Sequence, residues 1–306
     1  MQFGGEMKPY LKLCTELPQR KFTLADARKT LGAQPGSTKV ILSRLKSAGL
    51  ILPLGRGRYR LIGQENLAKL QELRARDPKL YRLALEVYRE YPDLKALVLY
   101  GSRISGSADA FSDYDAMVIT ESPRSRGENR KTERELAERL GIKVHLTVYS
   151  EKGFVTFAMT EPHLKFWLNE AVVLAEGWQL GSLPPTAKWG YKEALYVAEG
   201  YIDVGDESQG TRRATCYLTA LKIILMVEHA LNLDYYYENV RKEMEDLVGR
   251  GLVMAVRRNH LSPKGIGKKQ IDKLSRIVHK KLRKTRADLE SIGENESDLR
   301  WKELRG

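Results

Sequence analysis

The stretch that decides the fold is Leu97–Thr120, which reads LVLYGSRISGSADAFSDYDAMVIT. An apolar run ends at Tyr100, a loop rich in Gly and Ser follows, and a second apolar run closes the stretch. The two runs predict two β-strands joined by a polar loop. Because successive side chains of a strand point to opposite faces, Asp113 and Asp115 are expected close together on one face.

This pair of acids and the turn before it predict a metal and a phosphate. Two carboxylates at that spacing raise each other's pKa unless a cation lies between them. Mg²⁺ suits the position, because it binds through a few carboxylates together with substrate phosphates. Gly101-Ser102 can offer backbone N–H groups and a hydroxyl to an anion without an obstructing side chain. Such a combination is typical of phosphoryl or nucleotidyl transfer.

The order Gly101-Ser102, ten intervening residues, then Asp-x-Asp on a strand resembles the signature of the DNA polymerase β-like nucleotidyltransferase superfamily. The sequence YGSRISG…SDYDAMV is most similar to the minimal nucleotidyltransferases of this superfamily. The resemblance implies Mg²⁺-dependent transfer of a nucleoside monophosphate from an NTP to an acceptor hydroxyl. It implies that Asp113 and Asp115 hold the metal and that Gly101 and Ser102 contact the β- and γ-phosphates. Arg103 is expected to neutralise phosphate charge, with an ordinary surface arginine as the alternative.

The family usually carries a third acid on the next strand, and this sequence departs from that pattern. In the predicted strand 142–149 (IKVHLTVY), the residues on the site face are Lys143, His145, Thr147 and Tyr149. His145 or Thr147 therefore stands where the acid is expected. A neutral histidine can take the acceptor's proton, because its pKa lies near neutrality. Three alternatives stay open: His145 replaces the third acid, Glu151 just after the strand replaces it, or neither residue does.

Residues 1–63 predict a small domain of three helices and a basic hairpin. The predicted helices are Pro9–Leu17, Thr23–Leu31 with Thr23 as N-cap, and Ser37–Ala48 with Ser37 as cap. Two short apolar runs around Gly55-Arg56-Gly57 predict the hairpin. This order, and the wording LSRLKSAGLILPLGRGRYRLI, resemble a winged helix-turn-helix.

The winged-helix resemblance implies DNA binding by two sets of side chains. The third helix would offer Lys39, Ser43, Arg44 and Lys46 to the major groove, and the wing would offer Arg56, Arg58 and Arg60 to phosphate or the minor groove. A protein-docking module is the alternative.

The rest of the chain completes an α+β prediction: an N-terminal winged helix, a central mixed sheet of the polymerase β-like type with flanking helices, and a C-terminal helical bundle. Residues 64–92 predict a helical connector, 93–180 the nucleotidyltransferase domain and 186–306 a basic helical domain, with GSLPP at 181–185 as linker. Within the central domain we predict a flexible basic turn at 123–130, a helix at 131–140 and a largely helical stretch at 156–177.

A basic helix near the C-terminus predicts contact with a nucleic acid, with RNA as one candidate. Residues 264–286 contain ten Lys or Arg against one Asp. Apolar residues at helical spacing (Ile271, Leu274, Val278 and Leu282) leave a basic outer face. A phosphate backbone is the favoured partner of that face, and a solvated helix is the alternative. The basic residues of interest are Lys268, Lys269, Lys280, Lys281, Arg283 and Lys284.

Composition agrees with a nucleic-acid partner. The chain of 306 residues has a formal net charge of +13, which favours a polyanion. Two cysteines and no basic-apolar leader favour a cytoplasmic location. The apolar stretch near 214–231 is interrupted by Lys222, Glu228 and His229, so we predict a buried helix and no membrane span.

We therefore expect transfer to a nucleic acid, such as an RNA or tRNA 3′ end, by a protein that also binds DNA. One alternative is a nucleotide-sensing DNA-binding regulator with weak or no transferase activity. Another is a toxin-like protein or small-molecule adenylyltransferase, of the kind found in toxin–antitoxin or resistance systems. A homodimer is compatible with these predictions.

Overall fold

The computed structural model describes residues 6–17, 20–106, 108, 112–176, 183–259 and 266–305. The chain divides into two compact units. The first unit is Met1–Glu151 with Ala171–Leu180, and the second is Lys152–Glu170 with Gly181–Gly306. Residues 152–170, which the predicted division assigns to the central domain, therefore cluster with the helical unit. The first two residues of the predicted GSLPP linker lie outside the described residues.

The first unit begins with short helices and a small antiparallel sheet in the order β1-β3-β2. Its elements are α1 (Met7–Glu16), β1 (Lys21–Thr23), α2 (Leu24–Leu31), α3 (Pro35–Ser47), β2 (Ile51–Gly55) and β3 (Arg58–Leu61). The predicted N-cap Thr23 is confirmed, since its side chain and that of Asp26 form a capping box. The predicted cap Ser37 is wrong. Helix α3 already begins at Pro35, whose ring presets the φ angle of a first helical turn.

Two helices then connect to the larger sheet. They are α4 (Gln64–Arg76) and α5 (Pro78–Glu90), with the side chain of Asp77 capping α5. The leucines of both helices pack with buried residues of the sheet, including Leu97 and Val118, in one apolar core. The helical connector thus covers one face of the sheet.

The larger sheet has the order β6-β5-β4-β7. Its elements, with the helices between them, are β4 (Leu94–Tyr100), α6 (Ser102–Ser105), β5 (Tyr114–Thr120), α7 (Arg126–Leu140), β6 (Val144–Ser150) and β7 (Val172–Ala175). Strand β4 is antiparallel to β5 and β7, whereas β5 and β6 are parallel. The predicted mixed sheet with flanking helices is therefore confirmed.

Two local predictions in this region are wrong. The flexible turn predicted at 123–130 is helical from Arg126, because Ser125 and Glu128 form a capping box that starts α7 early. The stretch 156–177, predicted as largely helical, ends in strand β7. Its Val-Val-Leu run pairs with β4, since tertiary pairing outweighs local helical preference.

The second unit is helical throughout its described elements. These are α8 (Glu151–Thr160), α9 (His163–Glu170), α10 (Lys188–Glu207), α11 (Gly210–Leu231), α12 (Tyr237–Val248), α13 (Arg250–Asn259), α14 (Lys268–Ser291) and α15 (Glu296–Arg305). Helix α11 supplies most of the core. Among described helices it is the one long and apolar enough to cross a membrane, and 67% of its apolar window is buried in the protein. That burial is typical of a core helix.

Candidate active site

Three side chains lie next to one another across the larger sheet at the point where β4 ends. Tyr100 is in register with Asp115, and Asp115 is in register with His145. Residues in register on neighbouring strands point to the same face. Nδ1 of His145 lies 3.3 Å from Oδ1 of Asp115. The predicted site face of β6 therefore meets the predicted metal-binding strand at His145.

Gly101 brings the turn after β4 directly against Asp115. Its backbone has φ +79° and ψ −167°, a conformation that is open essentially only to glycine. A Cβ at this position would lie 2.1 Å from Oδ2 of Asp115. The missing side chain is thus a steric requirement of the site: the Gly-Ser backbone and the carboxylate occupy adjoining space.

Asp115 is in an environment that disfavours its charged form. Burial raises the pKa of Asp115, and the charge of nearby Asp113 adds to that rise, while the hydrogen bond and charge of His145 oppose it. The side chain of Asp115 is 22% exposed, whereas Asp113 is exposed. A carboxylate pair of this kind is stabilised by a cation.

The oxygen donors present fit Mg²⁺. Asp113 and Asp115 offer carboxylate oxygens, which Mg²⁺ prefers, and Gly101 leaves room beside one of them. No group of three or more His, Cys, Asp or Glu side chains suited to a metal ion occurs among the described residues. The donor set therefore suits an ion that completes its shell with water and substrate phosphates, as Mg²⁺ does.

Arg103 is turned towards the far end of the polar loop. Its Nη2 donates a hydrogen bond to the carbonyl oxygen of Ser112 at 3.0 Å, and its guanidinium lies 4.7 Å from the ring centroid of Tyr114. Ser112 directly precedes Asp113. Arg103 thus ties the start of the loop to its end, next to the candidate metal ligands. Its predicted contact with phosphate stays a prediction.

Glu151 lies far from the acidic pair. It begins α8 after β6, six residues beyond His145, which corresponds to about 20 Å at the rise of a strand. His145 is in direct contact with Asp115, and its Nε2 has no hydrogen-bond partner among the described residues. Of the two residues considered in place of the third acid, the geometry favours His145.

Most of the basic residues predicted to bind nucleic acid are exposed, but some of them form contacts within the protein. The exposed ones are Lys39, Arg44, Lys46, Arg56, Arg58, Lys268, Lys269, Lys280, Arg283 and Lys284. Lys284 is nevertheless paired with Asp288 at 3.0 Å.

For Arg60 the prediction is wrong. The residue is 4% exposed, and its Nη atoms donate to the carbonyl oxygens of Tyr91, Pro92 and Leu94 at 3.0–3.1 Å. A side chain enclosed in this way does not reach a nucleic acid. Lys281 is a second correction: its Nζ lies 2.5 Å from Glu228 and 2.8 Å from Glu243, so its charge is used within the protein.

Sequence reasoning missed the buried carboxylate of Glu176, just after β7. Its side chain is 3% exposed and accepts hydrogen bonds from Arg20 at 2.7 Å, Asn66 at 2.8 Å and Tyr88 at 2.9 Å. Nη2 of Arg60 lies 3.9 Å away. These residues are widely separated along the chain and form no local pattern, so only the fold brings them together.

Comparison with known proteins supports the chemistry of the site at a general level. Residues 84–161 match the family described as polymerase beta, nucleotidyltransferase. This part of the chain is therefore similar to the nucleotidyltransferase domain of that family. A crystal structure of the spectinomycin adenyltransferase AAD(9) from Enterococcus faecialis, with ATP and spectinomycin, matches with a TM-score of 0.46 and 11% identity. The match covers 68% of this chain and 98% of that chain. No curated protein matches the chain in sequence.

Proposed function

We propose that the protein transfers a nucleoside monophosphate from an NTP to an acceptor hydroxyl, with Mg²⁺ held by Asp113 and Asp115. The observation that carries this proposal is the packing of Gly101 against the carboxylate of Asp115. A turn suited to phosphate and an acidic pair suited to a metal meet there at one end of the sheet. Gly101 and Ser102 would bind the β- and γ-phosphates through the backbone and the hydroxyl.

The reaction exchanges one bond to phosphorus for another. The acceptor oxygen bonds to the α-phosphorus, the bond from that phosphorus to the bridging oxygen breaks, and pyrophosphate leaves. When bound, Mg²⁺ offsets the triphosphate charge and lowers the pKa of the attacking hydroxyl.

His145 is the proposed general base. If Nδ1–H donates to Asp115, the neutral ring presents Nε2 as an acceptor for the hydroxyl proton. Asp115 then fixes the tautomer of the ring as well as binding metal.

The proposed acceptor is a nucleic acid, such as an RNA or tRNA 3′ end. The net charge of +13 supports a polyanion over a cationic small molecule. On α14, Lys268, Lys269, Lys280 and Arg283 are exposed, and no ion pair with another described residue engages them. These side chains are available to a phosphate backbone.

Label transfer tests the proposal. The full chain is incubated with α-labelled NTPs, Mg²⁺ and, separately, total RNA, a protein extract and a small-molecule extract. We expect label in RNA, and a loss of about a thousandfold or more in Asp113→Asn and Asp115→Asn, because metal catalysis supplies several kcal/mol. Glu135→Gln, which removes an exposed carboxylate from α7, is the control with unchanged activity.

Each outcome of that experiment has a meaning. Label in the protein or small-molecule fraction would replace the proposed acceptor while keeping the reaction. Equal labelling by the wild type and both Asp variants with every acceptor would refute nucleotidyl transfer.

A second candidate function, DNA binding by the N-terminal elements, is supported by the exposed basic side chains of α3 and the hairpin. In the winged-helix interpretation, Lys39 and Arg44 would face the major groove and Arg58 the phosphates. The test is duplex binding by the full chain at several salt concentrations. Arg56→Gln/Arg58→Gln should weaken binding and reduce its salt dependence, since two phosphate contacts are lost. Unchanged binding would exclude the wing as a DNA contact.

A further inference from the structure

Lys165, on α9 of the second unit, is a half-buried lysine without a counter-ion. No hydrogen bond or ion pair joins its Nζ to any residue that the structure describes. An ammonium group has three N–H donors and no acceptor, so all three donors of Lys165 are without a partner among the described residues. Nζ nevertheless keeps some contact with solvent, because it is absent from the fully enclosed polar atoms without a partner. A ligand can therefore reach it.

The surroundings of Lys165 are aromatic and uncharged. Its Nζ lies 5.5 Å from the ring centroid of Tyr235, which stabilises the cation modestly. Phe166 packs edge-on against the same ring at 5.6 Å. The Tyr235 hydroxyl is hydrogen-bonded to Tyr191, and burial raises the pKa of both tyrosines, so neither supplies an anion near neutral pH.

This environment is costly for a cation. Burial lowers the pKa of Lys165 to about 8, and no charged group among the described residues opposes or adds to that effect. The nearest acid along the chain, Glu161, is paired with His163 at 3.7 Å. At neutral pH the amine is still mainly protonated, so a desolvated positive charge stands at the surface without compensation.

Another half-buried lysine of the same unit, Lys281, has its charge compensated by acidic side chains. Lys281 has two carboxylates within 2.8 Å, and Thr285 holds one of them in place. The fold of this unit therefore compensates a comparable lysine fully, whereas Lys165 has no acid paired with it among the described residues. A half-buried lysine with this environment is a candidate position for binding an anion.

We propose that Lys165 is an oxyanion-binding residue that takes a phosphate group of a substrate. The ammonium would donate to phosphate oxygens from a position beside the ring of Tyr235. Hydrogen bonds between charged groups are strong, and the low polarity of the surroundings strengthens this one. The choice of phosphate among oxyanions rests on the proposed transfer reaction, whereas the existence of the site does not.

The phosphate has two possible sources, the NTP or the backbone of the RNA acceptor, and binding measurements separate them. Calorimetry at pH 7 follows ATP without divalent metal in one arm and a short single-stranded RNA in the other. Lys165→Met keeps the length of the side chain and removes the charge. We expect at least about tenfold weaker binding in the arm that holds the relevant phosphate.

Lys152→Met is the matched control. Lys152 is exposed on the neighbouring helix α8, so its substitution removes the same charge from the surface and should leave both arms unchanged. If Lys165→Met alters neither arm, or if Lys152→Met alters them as much, the proposal is overturned.

A second measurement does not depend on how the Met variant folds. Wild-type binding should weaken about tenfold from pH 7 to pH 9, because the protonated fraction of an amine with a pKa of about 8 falls by that factor. Lys165→Arg keeps its charge over this range and should bind equally at both pH values. In NMR titrations of the lysine side-chain carbons, ligand should raise the pKa of Lys165. If neither ATP nor RNA changes the pKa of Lys165, the proposal is overturned, whether or not nucleotidyl transfer occurs.

Discussion

Glu176, just after β7, and Asp115, on β5, are carboxylates of one unit with opposite surroundings. Glu176 is almost fully enclosed and accepts hydrogen bonds from an arginine, an amide and a phenol, with a second arginine nearby. Asp115 is partly buried, stands beside another acid and is hydrogen-bonded to a histidine. Glu176 follows the edge strand β7, whereas Asp115 lies near the start of the inner strand β5.

Glu176 is a carboxylate that stabilises the fold, whereas Asp115 is the carboxylate that the proposed function assigns to a metal ion. The contacts of Glu176 with Arg20 and Arg60 join the N-terminal elements to the larger sheet. Asp115 keeps coordinating capacity, and its environment improves when a cation arrives. Proteins tend to break local rules at functional sites, and here the incompletely compensated carboxylate is the one beside the Gly101-Ser102 turn.

The largest expected effect on stability comes from Glu176→Gln. The change leaves two buried or half-buried arginines without their carboxylate, and breaking a buried pair costs about 3 kcal/mol or more. Urea denaturation followed by circular dichroism measures the free energy of unfolding. The control is Glu65→Gln, since Glu65 also pairs with Arg20, at 3.0 Å, but is 46% exposed. That variant should lose less than about 1 kcal/mol; equal losses would mean that Glu176 is an ordinary surface partner.

A smaller loss of stability, with a large loss of transfer, is expected for Gly101→Ala. The backbone strain costs about 2 kcal/mol, and the new Cβ displaces the carboxylate of Asp115. Gly106→Ala is the control, because Gly106 also has a positive φ of +77° but lies in the left-handed region, with ψ 9°, where Ala is less strained, and its nearest neighbour is 3.9 Å away. Thermal melts should therefore fall in both variants, while label transfer and Mn²⁺ binding should be lost in Gly101→Ala alone. Retained metal binding in Gly101→Ala would separate the turn from the acidic pair.

The smallest effect on stability, and one of opposite sign, is expected for Asp115→Asn. Burial raises the pKa of Asp115 in the folded chain, so its contribution to stability is fully present below the unfolded pKa and is lost as pH rises through the folded pKa. At pH 7 the neutral amide avoids that loss. We expect the variant to match or exceed the wild type by less than about 1 kcal/mol, with the difference shrinking towards pH 3. Urea denaturation at both pH values checks the sign, and a clear destabilisation at pH 7 would place Asp115 with Glu176.

Patterns among neighbouring residues predicted the parts of the fold and of the site that depend on short-range interactions. The alternation of Leu97–Thr120 predicted β4, the loop and β5, because strand geometry acts on neighbouring residues. The same kind of local chemistry predicted Thr23 as a helix N-cap. The capping box of Ser125 and Glu128 is equally local, but the start of α7 at Arg126 was not predicted from it. The alternation of β6 brought His145 to the site face, although it did not show that His145 meets Asp115 rather than solvent.

Arg58 and Arg60 show most clearly what only the tertiary structure decided. The sequence by itself determined that both are basic residues of one strand, two positions apart. It therefore predicted the same nucleic-acid contact for both. The fold leaves Arg58 exposed and encloses Arg60 among the carbonyl groups of Tyr91–Leu94 and beside Glu176. Those partners come from distant parts of the chain. Burial and pairing depend on such long-range contacts, whereas strand and loop boundaries around Asp113 and Asp115 depend on short-range ones, so the sequence determined the acidic pair and the fold determined its surroundings.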